Sequence, residues 1–399
     1  MRTFLFSLTI LLSFSSVAQP LGVGDRLPDF SIPRVNGDSP ITRESLSGQV
    51  VIIDFWATWC GGCMEGVKKS QGLYETFKGD VVVVAVSEET PERIAQFVEK
   101  KGYTYPFGVD ESQTLRALFP HRIIPHAVLV GPTGVVLAIT KPQHITEEVI
   151  REALAGNPVG LPLKSDLLNF DYTQDYFQLD STTEEIFTLQ PSIPGISSFS
   201  LRHRGKFEGR RASMFNFPID GLYRQAYQTT AYRMVYEVDE SQFAYDAEGN
   251  KYCMDIVVPA GEQELLYTTM QTKLAESFSI QAKLDYRELE VARLYLLDST
   301  AAPLLPEVEE YFGVQSAGGG YFKSEGATMA DFASYLESFG VIGMVAVDET
   351  GDTGIYQFDF EFLPEDSESF FAAMEAMGLG IKRATREIEV LVIHDPAIH

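Results

Sequence analysis

Between Gln49 and Asn157 the chain switches repeatedly between unbroken apolar runs and amphipathic stretches. The runs "VVIIDFW" from Val50 and "VVVVAVS" from Val81 lack regular polar alternation and predict buried strands, with a helical stretch between them reaching about Thr76. Strand, helix, strand is a parallel crossover unit. The alternation then repeats: Thr90 caps a helix with Pro91 at its first position, running to about Lys101. A short strand follows near Tyr105 to Val109, then a helix from about Gln113. "IIPHAVLVGPTGVVLAIT" predicts two strands, Ala127 to Val130 and Val135 to Thr140, joined by the turn Gly131 to Gly134. A last helix runs from Thr146 to about Leu154, so this part is an α/β domain.

"NPVGLPLK", Asn157 to Lys164, has the proline and glycine content of a linker. Beyond it the pattern repeats itself. "YCMDIVVPAGEQELLYTTM" from Tyr252 aligns with "YQFDFEFLPEDSESFFAAM" from Tyr356, "RELEV" at Arg287 with "REIEV" at Arg386, and "ASMFNF" from Ala212 with "ATMADF" from Ala327. Three matches in the same order predict an internal duplication. Each copy reads as a Ser or Thr cap, Ser213 or Thr328, opening a helix, then a strand, a second helix and a closing strand. The predicted organisation is a leader over 1–18, an α/β domain over 19–157, a linker over 158–164, and a duplicated α+β C-terminal region with repeats over 165–310 and 311–399.

The leader reading rests on Arg2, an apolar core from about Phe4 to Phe14, and small residues at Ser16 and Ala18, the pattern of a cleaved secretory signal. It places the mature protein in the periplasm. The apolar core is shorter than the roughly 20 residues that span a bilayer. Composition then narrows the partners. The 399 residues carry 31 Lys and Arg against 56 Asp and Glu, a formal charge of −25, and that field repels nucleic acid phosphates and anionic headgroups. There are 3 cysteines, Cys60, Cys63 and Cys253, too few for a disulfide-stapled scaffold. Cys60 and Cys63 form a CxxC directly after the first apolar run. That spacing suits a redox centre, half of a metal site, or two buried small residues. A zinc site usually takes four cysteine or histidine ligands, and no second CxxC or HxxxH is present. No metal or cofactor is predicted.

"DFWATWCGGC", followed some sixty residues later by Ile124-Pro125 and preceded by "GDRLPDFSIPRVNGDSPITRESLSGQ", resembles the exported TlpA-like and ResA-like thioredoxin-fold proteins over about Leu21 to Asn157. The resemblance implies a thioredoxin-like fold and thiol-disulfide exchange. Cys60, at a helix N-terminus where unpaired amides favour a thiolate, would be the attacking nucleophile. Cys63, one turn later, would be the resolving thiol. Asp54, on the strand beneath, would be a buried carboxylate of raised pKa that shuttles the proton of Cys63. Pro125 would be the family's cis proline, whose turn offers a backbone edge to substrate. Trp56 reads as core. Trp59 would pack by the thiolate, shield it and meet substrate together with Ile124 and His126 beside the proline. His121 flanks the same turn. Gly62 stands where the family commonly has proline, which leaves the redox potential and direction of electron flow open. A peroxiredoxin-like peroxidase is not implied, because "FWATWC" lacks the proline and threonine those proteins carry ahead of a lone cysteine.

The second repeat resembles a tail family of unknown function from environmental bacteria, found behind exported thioredoxin-like or sensor-type peptidase domains, and more loosely the short N-terminal modules of secretins and TonB-dependent transporters. That resemblance implies binding of an envelope partner. Within the tail, Asp255 and Asp359 read as solvent-facing strand residues, Cys253 as a packed or partly exposed thiol, and "RHRGKFEGRR" from Arg202 as a solvated hairpin or a dock for an acidic partner. "SAGGGY" from Ser316 lacks the lysine of a phosphate loop. The leading expectation is a periplasmic oxidoreductase of protein disulfides, fed electrons by a membrane thiol carrier. The competing ones are an envelope-binding protein with an accessory thioredoxin fold, and a disulfide oxidase or isomerase.

Overall fold

The computed structural model describes residues 19–180, 182–244, 249–298, 300 and 302–397. The predicted leader over 1–18 lies outside them. The chain divides into two compact units, with the boundary between Leu168 and Asn169.

The first unit opens with a two-stranded hairpin, β1 (Ser31–Ile32) and β2 (Ile41–Thr42). Its main sheet holds β3 (Val50–Phe55), β4 (Val81–Ser87), β5 (Phe107–Val109), β6 (His126–Val130) and β7 (Val136–Thr140) in the order β5-β4-β3-β6-β7. β3, β4 and β5 run parallel, and β6 and β7 are antiparallel additions. The connections are α1 (Gly61–Thr76), α2 (Pro91–Lys101) and α3 (Thr114–Leu118), and α4 (Glu147–Ala155) closes the unit. This is the α/β arrangement the apolar runs predict and the thioredoxin-like fold the resemblance implies. Thr90 and Thr146 cap their helices by accepting from Arg93 N and Val149 N, and Gly102 and Gly156 end them in the left-handed conformation.

All six side chains of β3 are buried, and its period of two sorts them onto the two faces of the sheet. Val50 and Ile52 pack with Cys60, Cys63 and Val67 of the α1 side, whereas Val51, Ile53 and Phe55 pack with Leu115 and Leu118 of α3. Asp54 therefore falls on the face that carries the cysteines.

Residues 158–164, expected as a linker, run along the first unit instead. Lys164 N donates to Ile139 O of edge strand β7 at 2.9 Å, and the Lys164 side chain is buried.

The second unit comprises β8 (Ile186–Pro191), β9 (Phe199–Leu201), β10 (Arg211–Pro218), α5 (Ile219–Ala226), β11 (Met234–Tyr236), β12 (Lys251–Val257), α6 (Leu266–Ser277) and β13 (Gln281–Leu296). It continues with β14 (Ser316–Gly318), β15 (Tyr321–Ala327), α7 (Met329–Ser338), β16 (Ala346–Asp348), β17 (Tyr356–Glu361), α8 (Ser367–Ala376) and β18 (Leu379–His394). It is sheet-rich, with helices. The runs from β10 to β13 and from β15 to β18 share one element order, and their long closing strands pair antiparallel over their whole length, Glu288 opposite Glu387. The short strands cross over: β11 pairs parallel with β18, and β16 parallel with β13.

Several local expectations for this unit are corrected. Thr328 does open α7 with a capping box, but Ser213 lies inside β10, and α5 begins six residues later after Pro218. "ASMFNF" is thus a strand, while "ATMADF" runs from a strand end into a helix, so that match is out of register. Asp255 does not face solvent: it is fully buried, accepting from the Arg211 guanidinium at 2.9 Å and from Ser213 Oγ. Asp359 is exposed beside Lys323. Arg210 and Arg211 of the basic run are buried too, Arg210 donating to the carbonyls of Val258, Thr183 and Glu184.

Candidate functional site: a dithiol pair over a buried carboxylate

Cys60 is the N-cap of α1 and Cys63 lies one turn in, and the two are joined as a disulfide. Gly61 and Gly62 between them are exposed, so the pair sits where the first amides of a helix lack intrahelical acceptors and the macrodipole favours a sulfur anion. Cys60 is 8% exposed and Cys63 1%, which makes Cys60 the sulfur an incoming partner reaches first. A Cβ at Gly62 would meet no atom within 4 Å, so the position left without proline has open space around it.

The Asp54 carboxylate lies beneath the same helix: a Cβ on Gly66, one turn past Cys63, would stand 3.9 Å from Asp54 Oδ2. Asp54 is 1% exposed, and its Oδ1 has no hydrogen-bond partner. With no cation to offset the lost hydration, burial pushes its carboxyl up to about 8. Nearby Tyr105, itself buried, donates its hydroxyl to Val67 O at 3.2 Å and stays protonated.

The loop from Ala57 to Trp59 is held from β4: Glu89 accepts from Thr58 N and from Thr58 Oγ1, both at 2.6 Å. Trp56 is buried on Phe97 and Phe107, as expected for core. Trp59, in contrast, is 75% exposed. Trp59 and Ile124 both line a cleft of about 290 Å³ that also takes in Phe55, Glu89, Arg116 and His121.

The Ile124–Pro125 peptide is cis. His126, the next residue, starts β6 opposite Phe55 and is buried, its ring stacked on that of His121 at 4.6 Å. It is therefore not presented to substrate. Burial, with the Lys164 charge beside it, pushes its imidazole down to about 3, so the ring is neutral. Lys164 Nζ, which can only donate, lies 3.3 Å from His126 Nδ1, so the ring proton belongs on Nε2, which has no partner. Lys164 also donates to Asp166 at 2.7 Å and to Ile123 O at 2.8 Å. Glu89, Lys164 and Asp166 are residues the sequence reading missed. The last two sat in and just after the apparent linker, with no local signal of contact to a turn some forty residues earlier.

Cys253, the remaining thiol, is fully buried and lies 3.4 Å from Asn216 Oδ1, and burial raises its pKa. Among the described residues no cluster of three or more ligating side chains could hold a metal, and no helix is long and apolar enough to cross a membrane.

Residues 23–139 match the AhpC/TSA family, and residues 224–395 match a protein family of unknown function, DUF3738. The thiol-disulfide oxidoreductase ResA of Oceanobacillus iheyensis is 29% identical over 137 residues, 33% of this chain and 66% of that protein. Protein DipZ of Mycobacterium bovis is 28% identical over 198 residues, 42% of this chain but 28% of the relative. The chain thus spans less than two thirds of either. A solved putative protein disulfide isomerase of Bacteroides thetaiotaomicron is 26% identical, with 35% of this chain and 91% of that one covered and a TM-score of 0.29. Residues 23–139 are thus similar to the AhpC/TSA family and to ResA proteins, and residues 224–395 to the family DUF3738.

Proposed function

We propose that the protein is an extracytoplasmic thiol-disulfide oxidoreductase that reduces protein disulfides, with its C-terminal region holding an envelope partner. The observation that carries the reading is the Cys60–Cys63 pair at the start of α1 above a buried, unpartnered Asp54. A buried charge without a partner is costly and is retained where a proton must move. The AhpC/TSA match covers the fold, and the site inside it is a dithiol pair, not a lone peroxidatic cysteine.

In the reduced protein the Cys60 thiolate attacks one sulfur of a substrate disulfide. The substrate S–S bond breaks, a Cys60–substrate bond forms, and the leaving sulfur takes up a proton. Cys63 gives its proton to the Asp54 carboxylate and attacks Cys60 Sγ. The mixed disulfide breaks, the second substrate thiol departs, and two electrons have passed from the dithiol to the substrate. A thiol donor then reduces Cys60–Cys63 again, and a membrane thiol carrier is the source that fits an exported enzyme. Pro125 and Ile124 supply the edge on which the substrate chain is aligned.

The export reading rests on the apolar leader over 1–18, and the binding role of the tail on the resemblance of its second repeat to short envelope modules. The shared element order of its two halves and the crossed pairing of β11 and β16 support an origin by duplication. A glutathione redox titration of the mature protein, followed by tryptophan fluorescence with Cys60→Ser as control, tests the activity. A potential near about −270 mV supports a reductase, one above about −180 mV makes it an oxidase or isomerase, and no titration overturns the redox reading.

A further inference from the structure

Lys164 and Asp166 grip the turn that carries Pro125 at several points. Asp166 Oδ2 accepts from both Arg122 N and Ile123 N at 2.8 Å. Lys164 Nζ donates to Ile123 O on one side of the Ile124–Pro125 peptide and lies against His126 Nδ1 on the other. The two side chains, 8% and 3% exposed, are paired with each other at 2.7 Å, and Lys164 N is anchored to β7. Residues 122–125 form a bend outside the strand ladder, so no sheet pairing fixes their path. Charge-assisted hydrogen bonds to peptide groups, shielded from water, are strong enough to do so.

We propose that Lys164 and Asp166 are positioning residues for exchange with polypeptide disulfides: they fix the Ile124–Pro125 edge on which an extended substrate segment is aligned before Cys60 attacks. The proposal rests on the oxidoreductase reading. A small dithiol needs only the sulfur, whereas a peptide needs the edge as well, so loss of the clamp separates the two substrates. Asp166 sits three residues before the second unit begins, so the clamp belongs to the segment that joins the thioredoxin fold to the tail.

The test uses the full mature chain with Asp166→Asn, which keeps the shape and removes the charge, Lys164→Met, and Lys164→Arg as the conservative control. Two rates are measured: reduction of Cys60–Cys63 by dithiothreitol, and turnover of a fluorogenic peptide disulfide by the reduced protein. Thermal melting reports the folded fraction. The expected result for Asp166→Asn and Lys164→Met is a fall of about tenfold or more in kcat/KM for the peptide, carried mainly by KM, with the dithiothreitol rate within about twofold of wild type. Lys164→Arg is expected to restore most of the peptide rate. Unchanged peptide kinetics in folded variants, or equal losses for both substrates, overturn the positioning role while leaving the oxidoreductase reading in place. A wild-type protein that exchanges with neither substrate removes the reading and the inference together.

Discussion

Both units pair their buried charges, Lys164 with Asp166 in the first as Arg211 with Asp255 in the second, but the first also buries one carboxylate without a partner. In the second, each buried charged side chain among the described residues has its partners. Asp255 lies between Arg211 and Ser213, and Arg210 is spread over three carbonyls. Glu337 accepts from Arg233, Thr230 and the Ala346 amide. In the first, Asp54 has neither a cation nor a partner for one oxygen, and it lies under the helix that carries both exchange sulfurs. Satisfied buried charges specify a fold at little net gain, whereas an unsatisfied one costs stability and has to be explained by chemistry. The difference separates scaffold from site without reference to any relative.

Four substitutions probe the difference between the units. The largest effect belongs to Cys60→Ser, which should take disulfide exchange to background while leaving the melting of the second unit unchanged, read by stopped-flow fluorescence and calorimetry. Arg211→Ala should do the reverse. It strands Asp255 inside the second unit at a cost of about 3–5 kcal/mol in urea unfolding, with the exchange rate of the folded protein untouched. A loss of exchange in that variant would break the separation of roles.

Asp54→Asn acts on both quantities. Resolution by Cys63 should slow by about 100-fold, the usual scale for losing a positioned proton acceptor. Stability moves the other way. The folded-state pKa of Asp54, about 8, lies above its ordinary 3.8, so the folded protein holds a proton that the unfolded chain releases. Wild-type stability is therefore greatest below about pH 4 with respect to this group and is lost as pH rises toward 8, on the order of 4 kcal/mol by pH 7. Unfolding at pH 5 and pH 8 should show that slope in the wild type and its absence in Asp54→Asn. The smallest effect is expected of Gly62→Pro. The site is open, and an N–H early in the first turn has no intrahelical acceptor to lose, so stability should rise by about 0.5 kcal/mol while the measured potential shifts.

The first unit was readable because its signals are local: apolar runs between turn residues, Thr-Pro and Thr caps, a CxxC at a helix start. Asp54 stood out as a carboxylate inside an apolar strand, and period two alone assigns it to the face of the cysteines. His126 was misplaced because burial of an aromatic at a turn depends on which way the backbone leaves it. The Thr58–Glu89 contact and the hold of Lys164 and Asp166 on the turn before His126 join distant parts of the chain. In the tail, Ser213 resembles a helix cap in its local context, yet it pairs across the sheet with Asp255, 42 residues away. Arg211 likewise looks like part of a solvated basic run until that carboxylate is placed beside it. Charges that find partners through topology leave no mark in a window of sequence.

On the proposed mechanism Asp54 accepts the Cys63 proton. The most direct test is the rate of resolution of a mixed disulfide on Cys60, measured from pH 5 to pH 10 in the wild type and in Asp54→Asn. A wild-type rate that climbs with pH through an inflection near 8, with that inflection missing from the variant, is the predicted result. Superimposable profiles would contradict it and make Asp54 a buried cost without a chemical role.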